Sequence, residues 1–352
     1  MHLASFAWTL ALAGCGPGEA RVTAFRASVI ERANAVEQRA YTRPPADPAR
    51  RLPGSFGEAF DAAATERGAV EASVETSNRC ATLLGDKRAP LDGPKQDCLK
   101  DLETTSAALT KLLSLRHAER PGPPPSARPF AKAAPGEKVH RSLLALCTRA
   151  RAEVRALVAR DEAQSAASTC TSTLAVARDY ALGSAMTGAL AASQCIKDLE
   201  EPCADAIRAL PAESEARPRR RQELEAIAAT LPRFPDVFET ELVGILLPLC
   251  APLFDASDRD KLEPRARAVV VAADTAEARS SSRRTMSKLC VEGWDELDLA
   301  ARAFRAPVGS PERARLRAER EAYVTTMPKT SFDKFEDGVA AAEATVRSLS
   351  KL

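Results

Sequence analysis

The chain has 352 residues, 45% of them hydrophobic and 28% charged, with a net charge of +2. That is enough apolar material for a real core in one large domain or two smaller ones. Balanced charge and only 5% aromatics exclude the basic, aromatic-studded surface expected of a nucleic-acid binder.

The first segment, Leu3 to Ala13, is apolar or small and carries no charge. A membrane-spanning helix takes roughly 20 residues, so this run is too short to cross and fits the apolar region of an export signal. It ends Leu12-Ala13-Gly14-Cys15, which resembles the lipobox of bacterial lipoproteins. The resemblance implies removal of residues 1–14 as a signal peptide and lipid on Cys15, which makes a membrane the first expected partner. Full processing in that family leaves three acyl chains, a permanent anchor, since two already suffice. Gly16 rather than Asp after the cysteine resembles the outer-membrane pattern. The expected location is therefore exported, on the outer membrane or cell surface, the periplasmic face included. Ala11-Leu12-Ala13 also fits ordinary signal cleavage, which would leave a soluble secreted protein.

Beyond Cys15 the spacing predicts helix nearly throughout. Val22, Phe25, Val29, Val36 and Ala40 recur at helical spacing. Ser55-Phe-Gly-Glu58 reads as a capping box opening a second helix. Cys98, Leu102, Thr105, Leu109 and Leu112 form one apolar stripe. Leu143, Cys147, Ala150, Val154 and Leu157 form another, on a helix that could run to about Ala181. Cys195, Leu199, Cys203, Ile207 and Leu210 continue the pattern, with Pro202 as a kink or restart. Cys290, Trp294, Leu297, Ala301 and Phe304 follow. Ser310-Pro311 reads as a cap with Pro at the first helical position, and Thr330-Ser331 starts a last Ala-rich helix. No sustained period-2 run predicts strands.

Proline-rich breaks fall at residues 43–54, 121–136 and 211–218. They divide the expected chain into an N-terminal helical module at 15–120, a linker or loop at 121–136, and a C-terminal helical region at 137–352. The last could divide again into 137–213 and 214–352. The fold class is all-α, an elongated bundle of antiparallel helical hairpins stapled by disulfides. Cys98-Leu-Lys-Asp-Leu-Glu103 nearly repeats as Cys195-Ile-Lys-Asp-Leu-Glu200, 97 residues later, and Cys290 follows after 95 more. Either three tandem modules or chance in a Leu-, Lys- and Glu-rich helical chain would produce that spacing.

There are nine cysteines. Setting Cys15 aside for lipid leaves an even number, as a disulfide framework in an oxidising compartment requires. Eight cysteines permit 105 pairings, so each pairing needs a geometric reason. Cys80 and Cys98 flank the breaker stretch Gly85 to Pro94 at matching heights, which predicts a bridge. Cys170 lies 13 residues before Gly183 and Cys195 lies 12 after it. Both then stand roughly 18–20 Å from that bend, which predicts Cys170–Cys195. Cys147, Cys203, Cys250 and Cys290 stay unassigned, and a buried free cysteine is the alternative for any of the eight.

Catalytic and metal-binding patterns are sparse. His117 and His140 read as exposed residues at loop edges, and a histidine metal site would need two or three converging ligands. No metal or cofactor is expected. Ser331-Phe-Asp-Lys334 matches the S-x-x-K spacing of penicillin-binding serine enzymes, but S-D-N and K-T-G are absent and Ser331 reads better as a helix cap. Arg217, Arg219, Arg220 and Arg221 form the least screened basic cluster. It could touch anionic lipid, an envelope polymer or an acidic partner protein, or be a solvated helix face. Two further basic groups, around Arg283 and Arg313, have acids close by. The expected role is a non-enzymatic structural or interaction module of the cell envelope. A helical ligand-binding protein with a roomy pocket, or an enzyme marked by a buried charged pair in a cleft, are the rivals.

Overall fold

The computed structural model describes residues 17–42, 48–86, 90–103, 106–124, 137–274, 283–323 and 331–352. They form an all-α fold of seventeen helices with one small two-stranded sheet. Contacts group the chain into two compact units, Met1–Gln38 with Glu241–Lys334 and Arg39–Thr240 with Phe335–Leu352. The division does not fall at residues 121–136, nor at 213–214. Helices on both sides of those breaks share one apolar core, so the proline-rich stretches connect parts of a single unit.

In the first unit, α1 (Glu19–Gln38) buries Val22, Phe25, Val29, Ile30, Ala33 and Val36, the stripe its spacing predicts. Ala40 lies beyond the helix end and is exposed. The Phe25 ring packs on Phe254 and Trp294, with centroids 6.3 and 6.0 Å away. A short 3-10 turn (Ala251–Leu253), α13 (Ala256–Asp260), α14 (Pro264–Ala273), α15 (Arg283–Arg305) and α16 (Pro311–Tyr323) complete the unit. Glu37 on α1 accepts from the backbone N–H groups of Arg265 and Ala266 at 3.0 and 2.9 Å. An α1 side chain thus satisfies donors that the start of α14 leaves open. Ser310 caps α16 as its sequence predicts, its hydroxyl accepting from the Arg313 N–H at 3.2 Å. α15 and α16 meet through Leu299, Ala303 and Leu316.

The second unit opens with strand β1 (Leu52–Ser55), which pairs in parallel with β2 (Ala118–Arg120). This pair is the one departure from the helical expectation among the described residues. It is too short to show a period. Ser55 then caps α2 (Phe56–Ala62), its hydroxyl accepting from the Glu58 N–H at 3.2 Å. Gly57 sits where a Cβ would come within 2.1 Å of the Pro123 carbonyl oxygen, so the backbone approach there needs glycine. α3 (Ala64–Ala72), α4 (Val74–Gly85), α5 (Gly93–Glu103) and α6 (Ser106–Ser114) follow.

The centre of the unit is α7 (Glu137–Ala159), α8 (Ala163–Ala181), α9 (Met186–Asp198) and α10 (Glu200–Arg208). The expected continuous helix from Leu143 to Ala181 is two helices. Asp161 takes a left-handed φ of 63°, while Glu162 N–H donates to Leu157 O at 2.8 Å and Asp161 N–H to Val158 O at 3.1 Å. That is a Schellman stop with Asp where glycine is usual, a position that short polar side chains tolerate. Leu199 separates α9 from α10, and Pro202 lies in the first turn of α10, so the proline marks a restart. α11 (Ala216–Thr230), the start of α12 (Phe234–Leu249) and most of α17 (Ser331–Leu349) close the unit. The repeat-like positions Cys98, Cys195 and Cys290 sit in unlike surroundings, bridged to partners 18, 48 and 40 residues away.

Arginine organises the ends of these helices. The chain has 38 arginines against 12 lysines. Arg217 donates to Leu210 O at 2.7 Å, Arg267 to Asp260 O at 2.7 Å and Arg313 to Ala306 O at 3.3 Å. Each reaches back seven residues, from the start of one helix across a proline-containing turn to the end of the helix before it. Arg149 and Arg155 on α7, with Arg160 just beyond it, do the same across space, donating to Leu102 O, Ala81 O and Leu99 O at the ends of α4 and α5. The last carbonyls of a helix have no partner within it and carry its negative pole, so a forked cation answers both needs.

Candidate functional site

Cys15, His2 and the lipobox residues lie outside the described residues. The other eight cysteines are all bridged: Cys80–Cys98, Cys147–Cys195, Cys170–Cys203 and Cys250–Cys290, with Cα separations of 5.3–6.0 Å. The expected Cys80–Cys98 bridge joins α4 to α5. The expected Cys170–Cys195 bridge is not formed. Cys195 on α9 turns to Cys147 on α7, and Cys170 on α8 turns to Cys203 on α10. Equal height above a bend fixes only one coordinate; the Cβ atoms must also point at each other. All eight cysteines are buried, at 0–1% exposure. Four bridges mark a chain that folds in an oxidising, exported compartment.

The basic cluster is not a free cationic surface. Arg217 donates to the carbonyls of Leu210 and Arg208 at the end of α10. Arg221 donates to Ser350 O at 3.0 Å, behind α17. Arg220 is buried, donating to Thr171 Oγ1 at 2.9 Å and pairing with Glu223. Arg219 is exposed, 3.5 Å from the other oxygen of Glu223. Arg217, Arg220 and Arg221 are therefore each tied to the protein's own groups, although only Arg220 is buried and Arg221 is exposed. Replacing Arg217 or Arg221 by Ala is expected to cost about 1–2 kcal/mol in urea unfolding, as loss of a charged hydrogen-bond donor does. Arg219→Ala stays within about 0.5 kcal/mol of wild type. Equal, negligible effects at all three positions would restore the solvated-face picture.

His140 was expected at an exposed loop edge. It lies in the first turn of α7, half-buried, with Nδ1 3.1 Å from the Tyr180 hydroxyl and its ring edge-on to the Tyr180 ring. Burial lowers its pKa below the ordinary 6.5 and raises that of Tyr180. Above pH 6.5 the imidazole is neutral in both folded and unfolded chains and contributes nothing. As pH falls through that value the unfolded chain takes up the proton first, so stability drops until the folded pKa is passed. His140→Asn is expected to flatten the fall in unfolding free energy between about pH 7 and pH 5. An unchanged slope would contradict the assignment. His117 is half-buried in a 3-10 turn, its Nε2 accepting from Arg116 Nε at 3.1 Å. Ser331 is the first residue of α17.

The site that sequence reasoning missed is a cleft of about 300 Å³ in the second unit. Three connections line it: residues 39–42, the α8–α9 turn at 182–184 and the α11–α12 turn at 231–233. The Tyr41 ring lies on Gly183, whose φ of 82° and lack of a Cβ admit it; a Cβ there would stand 2.6 Å from the ring. Arg39 stands beside Tyr41, donates to the Asp236 carbonyl at 3.2 Å and pairs with Glu239 at 3.0 Å and the Asp236 carboxylate at 3.7 Å. Burial raises the Tyr41 pKa, so the phenol keeps its proton. Behind the wall, buried Arg178 and Asp179 pair at 2.7 Å, and Arg178 reaches Thr230 Oγ1 at 3.3 Å. Leu182, Leu231, Pro232 and Val237 supply the apolar side. The cleft can hold a small molecule with an apolar body and hydrogen-bonding groups, met by a phenol donor, the exposed Arg233 and the Asp236 carboxylate. A visible clue was the Thr42-Arg-Pro-Pro break after α1, but nothing in the sequence joins it to residues 182–184.

No protein-family model, curated protein or solved structure matches this chain. Among the described residues no helix is long and apolar enough to cross a membrane, and no cluster of three His, Cys, Asp or Glu is placed to hold a metal ion.

Proposed function

We propose that the protein is an exported envelope lipoprotein, anchored through lipid on Cys15, whose disulfide-locked helical body works by contact rather than by catalysis. The carrying observation is the cysteine inventory. Eight of nine cysteines are closed into four bridges, which leaves Cys15 alone, at the position where the lipobox resemblance puts the acylated thiol. Ordinary cleavage after Ala13 would leave the same cysteine as a lone thiol in an oxidising compartment, where odd thiols tend to pair between chains. A body held by buried bridges and arginine-fastened helix ends suits a rigid contact module at a membrane. The outer membrane is the expected destination, from Gly16.

The test is metabolic labelling with an alkyne-tagged fatty acid in a bacterial host. The wild-type chain should take up label that survives denaturing gels, and Cys15→Ser should lose both the label and membrane fractionation. Equal labelling of the two, or none in either, would overturn the anchor.

The Tyr41 cleft favours a second reading, an envelope protein that binds a small ligand. Thermal-shift measurements on wild type and Tyr41→Ala against envelope-extract metabolites test it. A shift confined to wild type supports ligand binding, and no shift with any fraction contradicts it.

A further inference from the structure

If Cys15 carries lipid, the structure also says which surface meets the membrane. Gly16, Pro17 and Gly18 are the whole distance between Cys15 and α1. Gly18 is already the helix cap: its carbonyl accepts from the N–H groups of Arg21 and Val22 at 3.0 and 3.3 Å. From Cys15 to Gly18 the chain can reach at most about 11 Å, and Pro17 removes one of its rotations.

Nor can α1 peel away to lengthen the tether. Its first turns are fastened to the rest of the first unit. Arg21 pairs with Asp295 on α15 at 2.5 Å. Arg26 pairs with Asp255 and Asp258, at the start of α13, at 2.9 and 2.8 Å. Val22 and Phe25 are buried, the latter against Phe254 and Trp294. Pulling the first two turns free would expose both apolar side chains to water, which opposes the opening.

We infer that the first turn of α1, together with the Asp255 end of α13 and Asp295, is the membrane-facing surface of the first unit, held against the phospholipid headgroups. This rests on the lipid anchor proposed above. The exposed carboxylates of this surface, Glu19, Asp255 and Asp295, are each paired with Arg21 or Arg26. Counting Asp258, four carboxylates share two arginines, so the surface is paired but still mildly acidic, and the short tether rather than charge holds it at the bilayer. A lipoprotein on a long flexible stalk would stand its body off the bilayer; this one is coupled to it within three residues.

The experiment uses the full lipidated chain in vesicles of phosphatidylcholine and phosphatidylglycerol. A fluorophore is placed at exposed Ala20 through a clickable amino acid, and energy transfer is read to an acceptor on the lipid headgroups. The comparator carries a Gly/Ser spacer of about 20 residues between Gly16 and Pro17, which adds roughly 25 Å of mean reach. Transfer from Ala20 should be strong in the native chain and fall at least about twofold in the spacer chain, as the added reach requires. Equal transfer in two chains that both float with vesicles would overturn the surface while leaving the anchor intact. A native chain that does not float would overturn the anchor itself.

Discussion

Replacing Cys147 and Cys195 by Ala is expected to lower the unfolding free energy by about 4 kcal/mol, from the chain entropy that a 48-residue loop regains. Replacing Cys170 and Cys203 frees a 33-residue loop and costs nearly as much, again about 4 kcal/mol. The two loops overlap along the chain, and both bridges tie the same four helices, α7 to α9 and α8 to α10. Removing both therefore leaves the core of the second unit without any crosslink among these helices. A domain's whole stability is about 5–15 kcal/mol, so the four-fold variant should be largely unfolded at 37 °C. Far-UV circular dichroism during urea unfolding reads this directly. Cys250Ala with Cys290Ala is the control, because that bridge lies in the first unit and should leave the second unit's transition in place. Unchanged midpoints for both α7–α10 variants would contradict the pairing.

Arg149→Ala should be the most damaging single substitution of a charged residue, at about 3–5 kcal/mol. Its guanidinium is fully buried, donates to Leu102 O and lies 3.5 Å from Glu153. Truncation opens a cavity, strips a partner from a helix-end carbonyl, and removes a cation that pairs with the mostly buried Glu153. The opposing cost is already visible. Nε and Nη1 of Arg149 are buried without a hydrogen-bond partner, and burial pulls its pKa down. Arg149→Met keeps most of the volume and relieves that desolvation, so it should lose clearly less than Arg149→Ala. If Met and Ala are equally costly, charge rather than packing dominates at this position. If neither costs more than about 1 kcal/mol, the placement of Arg149 is contradicted.

Much of the fold could be read from apolar spacing because helices announce themselves at every third or fourth residue. The α1 stripe from Val22 to Val36, the Ser55 and Ser310 caps and the restart at Pro202 all follow from local rules. What failed was decided at a distance. The stop at Asp161 needs a left-handed backbone that no glycine or proline advertises. Cys170 and Cys195 have matching heights, but the sequence carries no azimuth, and rotation about the helix axis chose their partners. The run Arg217 to Arg221 looks like a surface patch because one-letter order cannot say whether a long side chain turns outward to solvent or back to a carbonyl. One part of that was in fact legible. Arginine seven residues after a helix end, across a proline-containing turn, occurs at Arg217, Arg267 and Arg313 with the same role. The Tyr41 cleft was beyond reach, since its three walls, at 39–42, 182–184 and 231–233, are far apart in sequence.

The cysteine inventory joins the structural account to the proposed anchor, and one measurement tests both. The native protein is extracted from membranes, alkylated before any reduction, digested and read by mass spectrometry. Four linked peptide pairs should appear, Cys80 with Cys98, Cys147 with Cys195, Cys170 with Cys203 and Cys250 with Cys290, beside an N-terminal peptide beginning at Cys15 and carrying lipid mass. An alkylated thiol at any of the eight, or Cys15 found in a bridge or as a free thiol, would contradict the account.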